Sequence, residues 1–366
     1  VYVRQLTDVL TQQLPWHRAR LKFIARFTTA LLQLTTTNLA KLALALKATV
    51  QPASNYRRIQ RFMADFEFDF EIFGRFLLGL LPQKSDYVVC IDRTEWHFGQ
   101  TPVNVLMIGV AYQGIAFPVV WEAVGREGSS SAEDGIALFE RFLRLVDAAN
   151  IRIVTGDREF IGEAWLAFLA DRDVPFAIRL RKRRRLALGG PDGPALPAEL
   201  FFRALPVGQR RLLRRRLLRR RWVGAVGADV VGKRLAEDEY LILATTVPPK
   251  QALSLYRRRW EIETLFAALK SRGFDLETTH LTRPKRISKL IGLLALAFIW
   301  SHLMGQWRME NEGGPAMKNH GYPAKSLFRY GLDHLQAILL NMSHRQAAFQ
   351  RCIEVLTHPS QFLSCS

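Results

Sequence analysis

Apolar and polar positions divide this chain into stretches of different period. From its start to about residue 84 the apolar positions recur every three or four residues, as over 21–46, which predicts helices. Pro52 with Ser54-Asn55 marks a turn there. Ser54 or Asn55 could cap a following helix that begins Tyr56-Arg57-Arg58-Ile59-Gln60-Arg61-Phe62-Met63. Beyond Pro82 the pattern changes to strands: Tyr87–Phe98, residues 103–113 and Ile115–Val124 are β-rich, separated by Gly99-Gln100-Thr101-Pro102 and by Gly114. Helix and strand patterns then alternate. Ser131 and Asp134 are spaced as a capping box before a helix running to about Ala148. Ile151–Gly156 reads as a strand, 163–170 as a helix and 174–180 as a strand.

Between 181 and 239 the alternation breaks down. Arg181-Lys182-Arg183-Arg184-Arg185 is followed by a Gly/Pro stretch over 189–197, then by an arginine-rich run over 210–222 whose paired leucines fit neither period. Residues 222–231 look strand-like. The segment is expected to be a β-rich basic insertion facing phosphates, with a disordered basic loop as the alternative. Residues 240–247 restore a strand, and Pro248-Pro249 precede a helix carried through Tyr256 to Lys270. The apolar run 290–304 is too short to span a bilayer and contains Ser301 and His302, so it is expected to be a buried helix. A Gly/Asn-rich loop over 311–321 and a helical segment over 326–356 complete the pattern.

Three meandering strands followed by α/β alternation have the order of a ribonuclease-H-like domain, and order alone does not establish function. The expected class is therefore α/β. The expected divisions are a helical DNA-binding domain over 1–84, a ribonuclease-H-like catalytic domain over 85–180 and 240–305, the β-rich insertion over 181–239 and a C-terminal helical region over 306–366.

Charge sharpens this picture. The 366 residues hold 52 Lys plus Arg against 33 Asp plus Glu, a formal net charge of +19, while 49% hydrophobic content argues for a folded chain. Such an excess favours a polyanion, because neutralising phosphates releases counterions; a basic ribosomal or membrane-surface protein could share it. Three cysteines without metal-like spacing suggest a reducing, cytoplasmic setting. Arg57, Arg58 and Arg61 share one helix face opposite Ile59, Phe62 and Met63, which suits a helix laid on DNA and equally a solvated basic face.

The candidate chemistry centres on the 256–270 stretch. At about 100° per residue, Tyr256, Arg259, Glu263 and Lys270 fall within an arc of roughly 60°, beside an apolar arc containing Leu255, Ile262, Leu265, Phe266 and Leu269. Glu261 points well away on the same count. A surface helix with an Arg259–Glu263 pair would look the same. Two further acids sit at strand ends. Asp92 lies within the apolar Val88–Trp96 stretch, where an ionised carboxylate is costly unless paired or metal-bound. Asp157 ends a strand before a helix, where α/β sheets commonly build sites. Asp92 could instead pair with Arg93, and Asp157 could cap the next helix.

On these residues the chain resembles the DDE transposases of the insertion-sequence-four family, the bacterial group that includes the transposon-five transposase. That family's Tyr-x2-Arg-x3-Glu-x6-Lys motif is matched by Tyr256, Arg259, Glu263 and Lys270. Its first acid, in an Asp-x-Thr setting, is matched by Asp92 and Thr94, and its second, before Arg, by Asp157 and Arg158. The resemblance covers roughly 54–302 and agrees with an insertion between the second Asp and the Glu.

It implies that Asp92, Asp157 and Glu263 are catalytic and hold two Mg²⁺, with Mn²⁺ able to substitute, for in-line cleavage and strand transfer. It implies that Tyr256, Arg259, Lys270 and Arg158 grip DNA phosphates and that Trp260, with Trp222 as a weaker candidate, stacks on a displaced base. The implied partners are double-stranded DNA, both element terminal inverted repeats and target, and a second protomer in the DNA complex. No membrane is implied, and the setting is the bacterial cytoplasm at the nucleoid. A ribonuclease-H-like nuclease without strand transfer and a catalytically silent DNA-binding repressor are the alternatives.

Overall fold

The computed structural model describes residues 2–46, 49–98, 100–124, 131–187, 195–213, 228–319 and 321–364. The arginine-rich run 214–221 and Trp222 lie outside them.

Strands β1 (Tyr87–Phe98), β2 (Thr101–Tyr112) and β3 (Ile115–Val124) form an antiparallel meander, as their β-rich composition predicts. Gln113 and Gly114 turn β2 into β3 with φ of 50° and 85°, the positive values that match the twist of a two-residue hairpin. β4 (Ile151–Gly156) lies parallel to β1, and β5 (Phe176–Arg179) parallel to β4. A short ribbon pairs β6 (Arg185–Ala187) with β7 (Ala195–Pro197).

The remaining strands are β8 (Arg210–Leu213), β9 (Asp229–Ala236) and β10 (Glu239–Thr245). The described main sheet has the order β3-β2-β1-β4-β5-β10-β9-β8, so β8 and β9 extend it antiparallel beyond β5 and β10. Tyr87–Ile91 of β1 is buried throughout, a continuous apolar run of the kind a strand covered on both faces requires.

On the sheet, α6 (Ala132–Leu143) packs with α7 (Glu163–Asp171), and the Phe139 and Trp165 rings meet edge to face with centroids 5.4 Å apart. The Ser131–Asp134 capping box is formed: Asp134 N–H donates to Ser131 Oγ at 3.2 Å and Ser131 N–H to Asp134 Oδ2 at 2.9 Å. The helix stops at Leu143, short of Ala148, because Asp147 accepts the Ala149 N–H (2.9 Å) and caps a separate 3₁₀ turn.

The N-terminal helices are α1 (Tyr2–Gln13), α2 (Arg18–Leu34), α3 (Leu39–Leu46), α4 (Pro52–Asp65) and α5 (Phe70–Gly79). The helical run over 21–46 is broken where Thr35 turns left-handed (φ 49°) and Asn38 caps α3. Pro52, expected in a turn, instead opens α4 at its first turn, where a fixed φ and a missing N–H cost nothing. Ser54 and Asn55 therefore do not cap that helix. Asn55 is buried, and its side-chain amide donates to the Ala43 carbonyl at 3.0 Å.

Helix α10 (Pro284–Asn311) runs through the middle of this helical layer and contacts α2, α4 and α5 as well as α11 (Leu327–Leu340) and α12 (Gln346–Thr357). It is long and apolar enough to cross a membrane, yet its apolar window is wholly buried inside the protein. Among its buried polar side chains, Lys289 Nζ donates to the Met63 carbonyl (2.9 Å) and Trp300 Nε1 to the Cys352 carbonyl (2.9 Å). α10 and α11 cross through Gly305 and Gly331, where an added Cβ would stand 1.9 Å from the Leu327 oxygen and 1.8 Å from the Ser301 oxygen. The expected single helix over 326–356 is two helices, since Asn341 leaves helical geometry and its amide bonds back to the Ala337 carbonyl at 2.9 Å.

Candidate active site

The parallel pairing of β1 with β4 sets Ile91 opposite Gly156, so Asp92 and Asp157 are the next residues on neighbouring strands. Neither local alternative holds. The helix after Asp157 begins only at Glu163, with Gly162 at its cap. The Arg93 guanidinium pairs with Glu95 (3.0 Å) and Glu159 (3.3 Å), and the Arg93 backbone N–H donates to Asp92 Oδ1 (2.8 Å).

The predicted continuous helix through Tyr256 and Lys270 is divided. α8 (Pro249–Arg257) and α9 (Trp260–Leu269) meet at a tight turn in which Arg259 N–H bonds to the Tyr256 carbonyl and Ile262 N–H to the Arg259 carbonyl. The cause is tertiary. Arg258 donates to the Ala111 carbonyl (2.6 Å) and to Glu261 (2.9 Å), and its own carbonyl accepts from Cys90 Sγ (3.5 Å), tying the turn to β1 and β2. Burial raises the Glu261 pKa against the pull of Arg258, so Glu261 is committed to this anchor, away from the other acids.

The turn delivers Arg259 between two acids. Its Nη1 lies 2.8 Å from Asp92 Oδ2 and its Nη2 2.6 Å from Glu263 Oε1. Burial works against the Arg259 charge, but Tyr256, Asp92 and Glu263 outweigh it and hold its pKa above the usual value. Burial lifts the Asp92 carboxyl to about 6, with Glu159 and Asp157 adding to the rise and Arg259 and the Arg93 N–H opposing it. Tyr256 is buried and its phenol raised, by burial first.

Three buried polar atoms here have no partner: Asp157 Oδ1, the Tyr256 hydroxyl and Arg259 Nε. Buried polar atoms ordinarily find partners, so three orphans among charged neighbours set this corner of the fold apart.

Trp260 is 60% exposed, with the Arg259 guanidinium 5.2 Å from its ring centre, so it is a surface aromatic and not a core one. Lys270 falls beyond the end of α9 and leaves the predicted arc: it donates to the Glu95 carbonyl (2.9 Å), pairs with Glu277 (3.3 Å) and lies 5.3 Å from the Trp96 ring centre. Arg158 is exposed and forms no ion pair with a described residue. Arg57, Arg58 and Arg61 are exposed on α4, in the helical layer. Glu159 and Glu95, which the sequence reading passed over, form an ion-paired rim with Arg93; the alternation of Arg93 and Glu95 along β1 and the Asp-Arg-Glu run at 157–159 were the available signals.

Among the described residues no three of His, Cys, Asp and Glu stand close enough to hold a metal ion together. The oxygens themselves suit a hard divalent cation, and Asp157 Oδ1 is free to ligate one. What separates Asp92 from Glu263 is the guanidinium they share.

The transposase DDE domain family matches residues 83–300, more than half of the chain. The chain belongs to that family. The match takes in β1 to β5, α8, α9 and most of α10, and so every residue of the acid cluster. Transposition and DNA recombination are thereby the class of activity. No curated protein matches the chain. Among solved structures it is similar to a piggyBac transposase synaptic complex with hairpin DNA, determined by cryo-EM. The identity is 11% and the TM-score 0.43, over 97% of this chain and 82% of that one. Nothing about function is taken from so distant a likeness.

Proposed function

We propose that this transposase cleaves DNA at the ends of its insertion element and joins the freed strands to target DNA by in-line phosphoryl transfer. Asp92, Asp157 and Glu263 are the catalytic carboxylates and the ligands for two Mg²⁺, with Mn²⁺ able to substitute. The observation that carries this reading is the register of Asp92 beside Asp157, with Glu263 joined to Asp92 through Arg259. The meander followed by parallel strands supports a ribonuclease-H-like catalytic core, and the spacing from Tyr256 to Lys270 supports the insertion-sequence-four type.

Bound divalent ions would supply activation of the attacking oxygen and neutralisation of the leaving one. The protein's own part follows from the geometry. Arg259 occupies one oxygen of Asp92 and one of Glu263, so its departure would free both for a cation. A DNA phosphate gives its guanidinium a matching two-pronged acceptor. Arrival of DNA thus exchanges an internal ion pair for an external one and frees two carboxylates in the same step. The Tyr256 hydroxyl, buried without a partner, is a second donor for that phosphate. Trp260, exposed beside Arg259, offers a ring face to an unstacked base. Arg158 and Lys270, with Arg57, Arg58 and Arg61 on the helical layer, would hold backbone phosphates further out. The same reading takes a pair of protomers on two DNA ends, in the bacterial cytoplasm.

Oligonucleotides carrying the element's terminal inverted repeat, incubated with Mg²⁺, separate the readings. Joined product supports transposition, cleavage alone supports a nuclease, and a mobility shift without cleavage supports a silent binder. Glu263→Gln should abolish cleavage while leaving DNA binding intact; cutting at the native rate by that variant would remove Glu263 from the site.

A further inference from the structure

Away from the acids, β9, β10, β8 and α8 enclose a groove of about 400 Å³. Arg210, Lys233, Lys250 and Arg257 line it, over an apolar floor that includes Leu235 and Leu241. No acidic side chain lines it, and none of the four cations makes an ion pair with a described residue. Their neighbours differ. Arg234, adjacent to Lys233 but on the other face of β9, donates to the carbonyls of Arg203, Leu205 and Glu237, and Lys182 pairs with Asp238. The fold thus satisfies the basic residues around the groove and leaves those inside it uncompensated. Four like charges converging on one concavity repel one another unless an anion is present.

The groove is also continuous in the chain with the acid cluster. α8 starts beside Lys250 and ends at Arg257, two residues before Arg259. A concavity near the small end of ligand clefts, about 300–1,000 Å³, with charged walls and an apolar floor, has the character of a channel for one sugar-phosphate strand.

We infer that this groove binds the phosphodiester backbone of a single DNA strand leaving the acid cluster, held by Arg210, Lys233, Lys250 and Arg257. The inference rests on the reading that Asp92, Asp157 and Glu263 act on DNA, and it deepens that reading by giving one strand a path.

Fluorescence anisotropy with labelled element-end duplexes, blunt or carrying a single-stranded tail, tests it. The titrations are run in EDTA over a range of salt, so that no metal or cleavage enters. The parent protein should bind the tailed duplex more tightly than the blunt one. Lys233→Gln with Arg257→Gln should lose that advantage and flatten the salt slope for the tailed duplex by about 1.4, two single-strand phosphate contacts. Blunt-duplex binding should be unchanged, which also reports that the double variant is folded. Arg257→Lys with Lys233 intact should keep the advantage.

A double variant that retains the tail advantage overturns the inference. So does an equal loss on blunt and tailed DNA, which would make the groove a duplex site, or a stronger preference for an RNA tail. Should the tail advantage behave as expected while Mg²⁺ supports no cleavage, the groove stands and the catalytic reading falls.

Discussion

Two helical regions press on the same sheet and treat their polar groups in opposite ways. Along α10, Lys289, Trp300 and Ser301 each find a carbonyl, and the helix passes α11 so closely that only glycine fits at Gly305 and Gly331. At the α8–α9 turn, Asp157, Tyr256 and Arg259 keep buried atoms without partners, and Arg259 is held between two acids. α10 has one counterpart: both ring nitrogens of His302 lack partners. That ring, however, meets the edges of Tyr112 and Phe117, with centroids 6.2 and 6.1 Å away, and no charge shifts its pKa, only burial. An orphan among rings is a cost absorbed by packing, whereas orphans among opposing charges are groups kept for a ligand.

The comparison breaks first at Arg259. Arg259→Ala leaves Asp92 facing Asp157 and Glu159 without its cation, and removing one partner of a buried pair should lower stability by about 3 kcal/mol. That is the low end of the usual range, because Glu263 remains partly exposed. Urea unfolding checks it, and Asp92→Asn added to Arg259→Ala should recover part of the loss. A single variant as stable as the parent would mean that the bridge contributes nothing.

The packed side is tested by Gly331→Ala. Its Cβ would meet backbone, which cannot move aside as a side-chain tip can, so a loss of about 1–3 kcal/mol is expected in thermal unfolding.

A third test, read against pH, concerns the orphan among rings. Burial holds the His302 pKa down to about 3, against an ordinary value of 6.5. The stabilising contribution is therefore complete above pH 6.5 and is lost as pH falls from 6.5 toward 3, at about 1.4 kcal/mol per pH unit. His302→Leu should remove that part of the acid sensitivity, leaving the share of His334, which burial also lowers, to about 4. An unchanged pH profile of unfolding in His302→Leu contradicts the assignment.

Much of this was legible in the residues. β1, β3 and β4 follow from β-rich apolar runs bounded by turn formers, and the Ser131–Asp134 box marked the start of α6. Asp157 was legible just beyond a strand end and Glu263 on a helix, whereas Asp92, read at a strand end, lies inside β1, which runs on to Phe98 in its pairing with β2. The arrangement of the three acids was not legible. The break between α8 and α9 depends on Arg258 reaching the Ala111 carbonyl, a partner 147 positions away. No helical wheel carries that information, so Lys270 was assigned to an arc that it leaves. The guanidinium between Asp92 and Glu263 was hidden for the same reason: at its helical spacing Arg259 looked like an ordinary partner of Glu263 alone. The basic groove joins residues from three strands and a helix, and becomes visible only once β8 and β9 are seen to extend the main sheet.

The central claim is that Asp92, Asp157 and Glu263 form one divalent-metal site that DNA opens by drawing Arg259 away. Electron paramagnetic resonance of Mn²⁺ titrated into the protein, with and without element-end DNA, tests it most directly. Tight binding of two ions per active site is expected only with DNA present, and is expected to vanish in Asp157→Asn and Glu263→Gln. Equal Mn²⁺ binding by the parent and both variants in the DNA complex would contradict the account.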